Sequence, residues 1–251
     1  MSFFDLTGKT AIVTGAGRGL GTAVAIGLAK AGADIALVTN STPASAVQAE
    51  IEALGRKAIT IQADISDRSL LPGIIEGTLQ GLGRLDILVN NAGIIRRTPA
   101  AEHRFEDWQD VLDVNLNSVF VLCQLAGNHM IAQGSGKIIN IASMLSFQGG
   151  INVPGYTASK HAVAGLTKAL GNEWAAKGVQ VNAIAPGYMS TDNTEALRDD
   201  PVRSRQILDR IPAARWGTAE DLMGPAIFLA SQASDYMAGH VLCVDGGWMN
   251  R

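Results

Sequence analysis

A serine, a tyrosine and a lysine near the middle of the chain have side chains that could move a proton. Ser143, Tyr156 and Lys160 lie in the segment IASMLSFQGGINVPGYTASK. Because Tyr156 and Lys160 are four positions apart, they share one face if this segment is a helix. A free phenol titrates near about 10, and an ammonium about 4 Å away can supply the roughly 4 kcal/mol that lowers its pKa by about three units. The trio therefore suits proton transfer at a carbonyl or alcohol oxygen, provided that a hydride carrier lies nearby.

A glycine-rich segment, TGAGRGLG, offers a place for such a carrier. It sets Gly15, Gly17, Gly19 and Gly21 between an apolar run and a helix-like stretch. A strand, a glycine turn and a helix N-terminus together form a pyrophosphate site. The spacing is T-G-x-x-x-G-x-G and differs from G-x-G-x-x-G, and the alternative is a tight turn without a ligand. The position after the first strand leads us to predict a dinucleotide site.

The end of the second strand normally distinguishes the two nicotinamide cofactors. An acidic residue there holds a ribose 2′-hydroxyl, whereas a nearby arginine accepts a 2′-phosphate. In this chain Thr39 and Asn40 occupy the position, and neither is charged. The lack of an arginine favours NAD over NADP, although a neutral pair can accept either cofactor.

Short apolar runs alternate with helix-like stretches along the chain. We predict strands at 10–15, 34–38, 58–62, 85–89, 137–141, 179–184 and 240–244, and helices at 22–31, 45–54, 70–82, 105–130, 156–176 and 219–229. This alternation predicts an α/β fold, a Rossmann-type doubly wound parallel sheet with helices on both faces, in a single domain over residues 1–251. The irregular stretch 187–216 is long for a loop, so we expect a substrate lid or short helices there.

Composition excludes several classes of function. Hydrophobic residues make up 47% of the chain, charged residues 17%, and the net charge is −3, which is typical of a globular protein without a nucleic-acid footprint. Cys123 and Cys243 lie in apolar runs, so we expect buried thiols in a reducing compartment. The N-terminus has no basic region followed by an apolar run, and no run approaches the length of a membrane span. We therefore expect a cytoplasmic protein without a membrane partner.

Taken together, the motifs resemble those of the short-chain dehydrogenase/reductase family over essentially the whole chain. They are TGAGRGLG, Asp64 after the third strand, NNAG at 90–93, Asn115, Ser143, Tyr156 with Lys160, and PGYMST at 186–191. The resemblance implies that Tyr156 is the acid/base and that Ser143 polarises the substrate oxygen. It also implies that Lys160 binds the nicotinamide ribose and lowers the tyrosine pKa, and that Asn115 holds a water in a proton relay.

The same resemblance implies a cofactor cleft and no metal. Asp64 would contact the adenine, Asn91 would line the cleft and Thr191 would approach the carboxamide. The expected cofactor is NAD(H), with NADP not excluded. The residues expected to contact it are Gly15, Arg18, Gly19, Leu20, Gly21, Thr39, Asn40, Asp64, Ile65, Asn91, Ala92, Gly93, Tyr156, Lys160, Pro186, Gly187, Met189 and Thr191.

Segments of the central and C-terminal regions, such as SMLSFQGGINVPGYTASK and ILDRIPAARWG, are similar to those of family members that act on deoxy-hexonates. This implies a sugar-acid substrate, interconversion of a secondary alcohol and a ketone, and a homotetramer. A carboxylate favours an arginine fork, and Arg97 and Arg215 are candidates, though each could be a solvated or subunit-contact residue. Gln148 and Asn152 could bond sugar hydroxyls or serve as turn residues. The terminal DGGWMNR is expected to pack at a subunit interface.

Other functions stay open at this point. Another polyol dehydrogenase, or an NADPH-dependent 3-oxoacyl carrier-protein reductase, would keep the chemistry and change the substrate. A nucleotide-binding sensor without catalysis would need no catalytic set. The joint presence of Asn115, Ser143, Tyr156 and Lys160 argues against that third class.

Overall fold

A computed structural model describes residues 3–251 and contains a seven-stranded parallel sheet. Its strands are β1 (Thr10–Thr14), β2 (Asp34–Thr39), β3 (Ala58–Gln62), β4 (Ile87–Asn90), β5 (Gly136–Ile141), β6 (Val179–Pro186) and β7 (Val241–Val244). They lie in the order β3-β2-β1-β4-β5-β6-β7, and every neighbouring pair is parallel. The order reverses between β1 and β4, where open α/β sheets bind ligands beyond the carboxyl ends of the strands.

Helices connect the strands and cover both faces of the sheet, so the predicted fold class is confirmed. They are α1 (Gly19–Lys30), α2 (Ser45–Ala53), α3 (Leu71–Leu82), α4 (Phe105–Leu112), α5 (Ser118–Gln133), α6 (Pro154–Trp174), α7 (Glu195–Asp199), α8 (Pro201–Arg210) and α9 (Met223–Ala230). Among the described helices, none is long and apolar enough to pass through a membrane.

The core has two layers because alternate residues of each strand point to opposite faces of the sheet. Ala11 and Val13 of β1 pack in one buried cluster with residues of α1 and α9. Ile12, between them, packs in the other with residues of α3, α5 and α6. All five residues of β1 are buried, as a parallel sheet covered on both faces requires. Full burial of a side chain such as Ile12 contributes about 1.5–3 kcal/mol.

Glycines end several helices. Gly83 follows α3 with a φ of 81°, and Gly134 follows α5 with a φ of 74°. This left-handed conformation costs glycine little, and it lets the chain leave the helix towards the next strand. The carboxyl ends of β1, β4 and β5 are thereby brought to one edge of the sheet.

Two regions differ from the sequence expectation. The single helix predicted over 105–130 is two helices, because a π-helical turn, Asp113–Asn117, separates α4 from α5. The expected burial of both cysteines is wrong for Cys243, which is exposed because it lies in β7 at the edge of the sheet. The stretch 187–216 carries α7 and α8, and its role as a lid stays a prediction.

Candidate active site

A cleft with a volume of about 380 Å³ runs along the carboxyl edge of the sheet. It extends from the glycine loop after β1 to the start of α6, so it joins the predicted pyrophosphate site to Tyr156. The predicted cofactor residues that line it are Gly15, Arg18, Gly19, Leu20, Gly21, Thr39, Asn40, Asp64, Ile65, Asn91, Ala92, Gly93, Tyr156, Lys160 and Thr191.

Three predicted cofactor residues lie outside this lining. Pro186 is the last residue of β6, and the Gly187 N–H donates to the Val244 carbonyl at 2.9 Å. Met189 is 4% exposed and packs against Gly217. Eight further residues line the cleft that were not among the predicted cofactor contacts, although Gly17 belongs to the predicted glycine loop and most of the others adjoin predicted residues in the sequence. These are Gly17, Ser41, Thr42, Ala63, Ile94, Val114, Ile141 and Asp192.

The glycine loop has the shape of a phosphate cradle. Gly15 and Gly19 have φ values of 66° and 57°, and a Cβ on Gly19 would meet no atom within 4 Å. A Cβ on Gly21 would overlap the Gly15 carbonyl oxygen and lie 2.5 Å from the Asn91 amide nitrogen. That amide donates to the Thr14 carbonyl at 2.8 Å and so ties β4 to the loop. The positive end of α1 meets the cleft here, and these residues therefore fit a pyrophosphate.

At the end of β2, an amide and a carboxylate are paired beside the cleft. Asn40 donates to the Asp64 carboxylate at 3.0 Å, and Ser66 donates to it through its hydroxyl at 2.7 Å and its N–H at 2.9 Å. These bonds hold the pKa of Asp64 below its usual value, and the Ser66 hydroxyl contributes most, followed by the Ser66 N–H. Asp64 is therefore a fixed carboxylate near neutral pH, ready to accept hydrogen bonds.

The Ser143–Tyr156–Lys160 trio assembles as the sequence predicts. Ser143 precedes a short helical turn after β5, where its Oγ accepts the Leu145 N–H at 3.1 Å. Ser143 also hydrogen-bonds the phenol of Tyr156. Lys160 lies one turn further along α6, with its Nζ 5.6 Å from the centroid of the Tyr156 ring. A proton donor, a second hydroxyl and an amine therefore share one end of the cleft.

The expectation that Lys160 lowers the pKa of Tyr156 does not match this geometry. The Lys160 Nζ donates to the Ile141 carbonyl at 2.6 Å, and burial lowers the pKa of this amine to about 8. Burial likewise raises the pKa of Tyr156, while the Ser143 hydrogen bond and the charge of Arg97 act in the opposite direction. Desolvation is the largest influence on the pKa of both groups, since Lys160 is buried and Tyr156 is half-buried at the cleft, so the phenol is protonated near neutral pH.

Asn115 lies in the π-helical turn and fastens two segments of the site. Its Oδ1 accepts the Ile94 N–H at 2.8 Å, and its Nδ2 donates to the Ile94 carbonyl at 2.9 Å and to Ser159 Oγ at 3.3 Å. Ser159 in turn donates to the Tyr156 carbonyl at 2.8 Å. Turns of this kind are frequent at functional sites. Asn115 thus joins the loop after β4 to α6, and its predicted role with a water stays a prediction.

The predicted substrate residues divide into two groups. Arg97 lies close enough to Tyr156 for its charge to affect the phenol, and the next residue, Thr98, donates its N–H to the Asn152 carbonyl at 2.9 Å. Asn152 is exposed with a φ of 63°. Arg215 donates to both carboxylate oxygens of Asp221, at 2.6 and 2.8 Å, and neither Arg97 nor Arg215 is part of the cleft lining.

Gln148 has a partner that lies far away in the sequence. The indole Nε1 of Trp248 donates to Gln148 Oε1 at 3.4 Å. Trp248 is 5% exposed and packs with Met144, Ile207 and Ile211 of its own chain, and the subunit contact expected for the C-terminal segment stays a prediction.

A phosphate cradle, a cleft and a half-buried phenol with a hydroxyl partner define an oxidoreductase that uses a dinucleotide. The chain matches the profile of the family described as short chain dehydrogenase over residues 9–202. It belongs to this family and is an NAD(P)-dependent oxidoreductase that acts on CH–OH groups.

The chain is similar to dehydrogenases of sugar acids. The chain is 57% identical over 248 residues to 2-dehydro-3-deoxy-D-gluconate 5-dehydrogenase of Bacillus subtilis. This alignment covers 99% of this chain and 97% of the relative. The structure of a putative 2-deoxy-D-gluconate 3-dehydrogenase from Agrobacterium tumefaciens with bound NADP is 50% identical, with a TM-score of 0.94 over 100% of both chains. A putative NAD(P) dependent gluconate 5-dehydrogenase from Beutenbergia cavernae, with bound NADP at low occupancy, is 51% identical, with a TM-score of 0.96 over 100% of both chains.

Proposed function

We propose that this chain interconverts a secondary alcohol and a ketone on a deoxy-hexonate of the 2-dehydro-3-deoxy-D-gluconate type, with Tyr156 as the acid/base. The observation that carries the proposal is the half-buried phenol of Tyr156, hydrogen-bonded to Ser143 at the end of the cleft that the glycine loop opens. The Bacillus subtilis relative, which matches nearly the whole chain, supports the substrate class.

Bound NAD(P) supplies the hydride carrier, and the side chains handle the proton and the substrate oxygen. The raised pKa of Tyr156 keeps its Oη protonated near neutral pH, so it can donate a proton to a ketone oxygen during reduction. The Ser143 hydroxyl bonds the same oxygen and stabilises the negative charge that develops there. In the oxidative direction the Tyr156 phenolate, favoured by Ser143 and Arg97, accepts the proton from the alcohol.

Lys160 contributes to the proton transfer through its position near the Tyr156 ring. Its pKa of about 8 means that a modest change in surroundings alters its charge near neutral pH. A phenolate that forms at Tyr156 favours the charged ammonium, since opposite charges in a buried site stabilise one another. Proton loss from Tyr156 and proton retention by Lys160 are therefore coupled.

Arg97 is the arginine that we propose for the substrate carboxylate. Its charge acts on the phenol of Tyr156, the proposed acid/base. A carboxylate bound by Arg97 would hold the other end of a sugar acid against Tyr156 and Ser143. Charge-assisted bonds of this kind are among the stronger polar contacts.

We also propose that the cleft accepts NADP as well as NAD. Thr39 and Asn40 are uncharged, the amide of Asn40 already donates to the nearby Asp64 carboxylate, and Ser41 and Thr42 add hydroxyl groups to the lining. Arg18 lines the same cleft and supplies a positive charge. The two NADP-bound relatives support this proposal. Calorimetric titration with NAD⁺ and NADP⁺ tests it, and failure of NADP⁺ to bind would contradict it.

The catalytic proposal is tested by a substrate panel with both nucleotides, followed by nicotinamide absorbance. The panel contains 2-dehydro-3-deoxy-D-gluconate, 2-deoxy-D-gluconate, other aldonates and an acetoacetyl thioester. We expect the highest kcat/KM with a deoxy-hexonate. Fastest turnover of the thioester would reject the sugar-acid assignment, and tight nucleotide binding without any turnover would favour a sensor.

A homotetramer is the assembly that we propose. Phe105 in α4 and Phe120 in α5 are 70% and 44% exposed, and a second copy that covered this surface would remove both rings from water. Light scattering coupled to gel filtration measures the mass directly, and a monomeric mass at micromolar concentration would contradict the proposal.

A further inference from the structure

The last helical turn of the chain carries a tryptophan that contacts three segments of the substrate side. Trp248 opens the turn Trp248–Asn250 and is 5% exposed. It packs in one apolar cluster with Met144, which directly follows Ser143, and with Ile207 and Ile211 at the end of α8. One ring therefore contacts the loop after β5 and the stretch 187–216 together.

The side chain of Trp248 makes a hydrogen bond, a cation–π contact and an aromatic contact, and each fixes the orientation of its ring. Its Nε1 donates to Gln148 Oε1 at 3.4 Å. The guanidinium of Arg210 lies 3.9 Å from the ring centroid, and the ring of Tyr188 packs edge-on, with centroids 4.7 Å apart and planes at 62°. The Arg210 contact has cation–π geometry, and the Tyr188 contact is an arrangement that aromatic pairs prefer.

The turn that carries Trp248 is held firmly. The Asp245 carboxylate accepts the Gly247 N–H at 2.9 Å and the Met249 N–H at 2.8 Å. The Gly246 carbonyl accepts the Ala213 N–H at 3.0 Å, which joins the turn to the residues after α8. Hydrogen bonds of the residues before and after Trp248 therefore fix the backbone that carries the indole.

The Trp248 bond settles which way the Gln148 amide faces. An indole N–H is a donor only, so the oxygen of Gln148 must face Trp248. The opposite end of this amide, Nε2, carries two hydrogens and donates to none of the described residues. Gln148 lies five positions after Ser143, in the loop that leads to Tyr156. Its donor end is therefore available to an oxygen atom of a molecule bound beside these residues.

We propose that Trp248 is a positioning residue for the substrate. It fixes Gln148 so that Nε2 donates to a hydroxyl or carboxylate oxygen of the sugar acid, and it seats α8 beside the same site through Arg210. The proposal rests on the proposed function, because the substrate that Gln148 would bind is the one whose oxygen Tyr156 and Ser143 hold.

Trp248→Phe tests this role because it keeps an aromatic ring and removes the N–H. The matched control is Trp174→Phe, which truncates a similarly buried ring at the C-terminal end of α6, outside the cleft lining. The substrate is the panel compound that the wild type turns over fastest. We expect Trp248→Phe to raise its KM about tenfold, as loss of a fixed hydrogen bond does. We expect kcat and the nucleotide Kd to change less than about twofold, and the control to leave KM unchanged within the same limit.

Gln148→Leu and the double variant complete the experiment, since Gln148 is only half-buried and its replacement does not disturb the core. If Trp248 acts through Gln148, each single variant raises KM similarly and the double variant raises it no further. Wild-type KM in Trp248→Phe, equal increases in the Trp174→Phe control, or multiplicative effects in the double variant would overturn the proposal. Inactivity of the wild type on the whole panel would overturn the proposed function together with this proposal.

Discussion

Replacement of Lys160 by methionine should remove a cost in stability that the wild type carries. Burial lowers the pKa of this amine from 10.5 to about 8, a difference that corresponds to about 3 kcal/mol. The unfolded chain binds this proton more tightly than the folded chain does. The cost is therefore complete below about pH 8 and fades as the pH rises towards about 10.5.

Methionine is unbranched and uncharged, so it can fill the same space without this cost. The variant does lose the hydrogen bond from Nζ to the Ile141 carbonyl, which contributes about 1–3 kcal/mol when its charged donor is counted. This loss offsets part of the gain at neutral pH. The pH dependence of the difference is therefore a cleaner quantity than the stability difference at any single pH.

Urea unfolding of wild type and Lys160→Met at about pH 7.5 and about pH 9.5 measures that dependence. The cost in the wild type is about 3 kcal/mol at the lower pH and about 1.5 kcal/mol at the higher one. We therefore expect the wild type to gain about 1.5–2 kcal/mol relative to the variant over this range. Both pH values lie below the range in which Tyr156, whose pKa is raised, would ionise.

Lys168→Met is the matched control, because Lys168 is an exposed lysine on the same helix. Its stability difference from wild type should stay constant within about 0.5 kcal/mol across the two pH values. A pH-independent difference for Lys160→Met, or a wild type that loses stability relative to it as the pH rises, would refute the assignment of Lys160 as a buried amine with a lowered pKa.

Two further predictions concern the cofactor and the carboxylate. Gly21→Ala should weaken nucleotide binding at least about tenfold, since the added Cβ would overlap the glycine loop. The control is Gly73→Ala, where an added Cβ meets no atom within 4 Å. Equal nucleotide Kd values for the wild type and both variants would contradict the assignment of the glycine loop as the pyrophosphate site. Arg97→Leu should raise KM for sugar acids about tenfold or more and leave KM for neutral polyols unchanged. Arg96→Leu controls for charge in the second case, and equal effects on acids and polyols would reject Arg97 as the carboxylate site.

The order of strands and helices could be predicted from the sequence because its signals are local. Apolar runs indicated β1 and β5, and a glycine or proline is the local signal that normally indicates a break in a helix. The π-helical turn around Asn115 carries no such signal, since its letters DVNLN contain neither glycine nor proline. Its form depends on the Asn115 side chain bonding to Ile94, 21 residues earlier, and that contact exists only after folding.

The parts of the candidate site that depend on local sequence could be predicted, and those that depend on distant contacts could not. The glycine loop and the Ser143–Tyr156–Lys160 trio are short patterns with fixed structural positions, so residue types and spacing were enough. The direction of the Tyr156 pKa shift was missed because it depends on burial, and because Lys160 bonds the Ile141 carbonyl. The Gln148–Trp248 bond joins residues 100 positions apart, and no local pattern indicates which distant side chain will meet a loop.

The most direct test of the account is the turnover of Tyr156→Phe on the best panel substrate, compared with wild type and with Tyr236→Phe, which alters a fully exposed tyrosine. The phenylalanine keeps the ring and removes the only atom that is proposed to carry the proton. We predict that kcat falls at least about a hundredfold in Tyr156→Phe, that the nucleotide Kd changes less than about twofold, and that Tyr236→Phe matches the wild type. Near-normal turnover by Tyr156→Phe would contradict the assignment of Tyr156 as the acid/base.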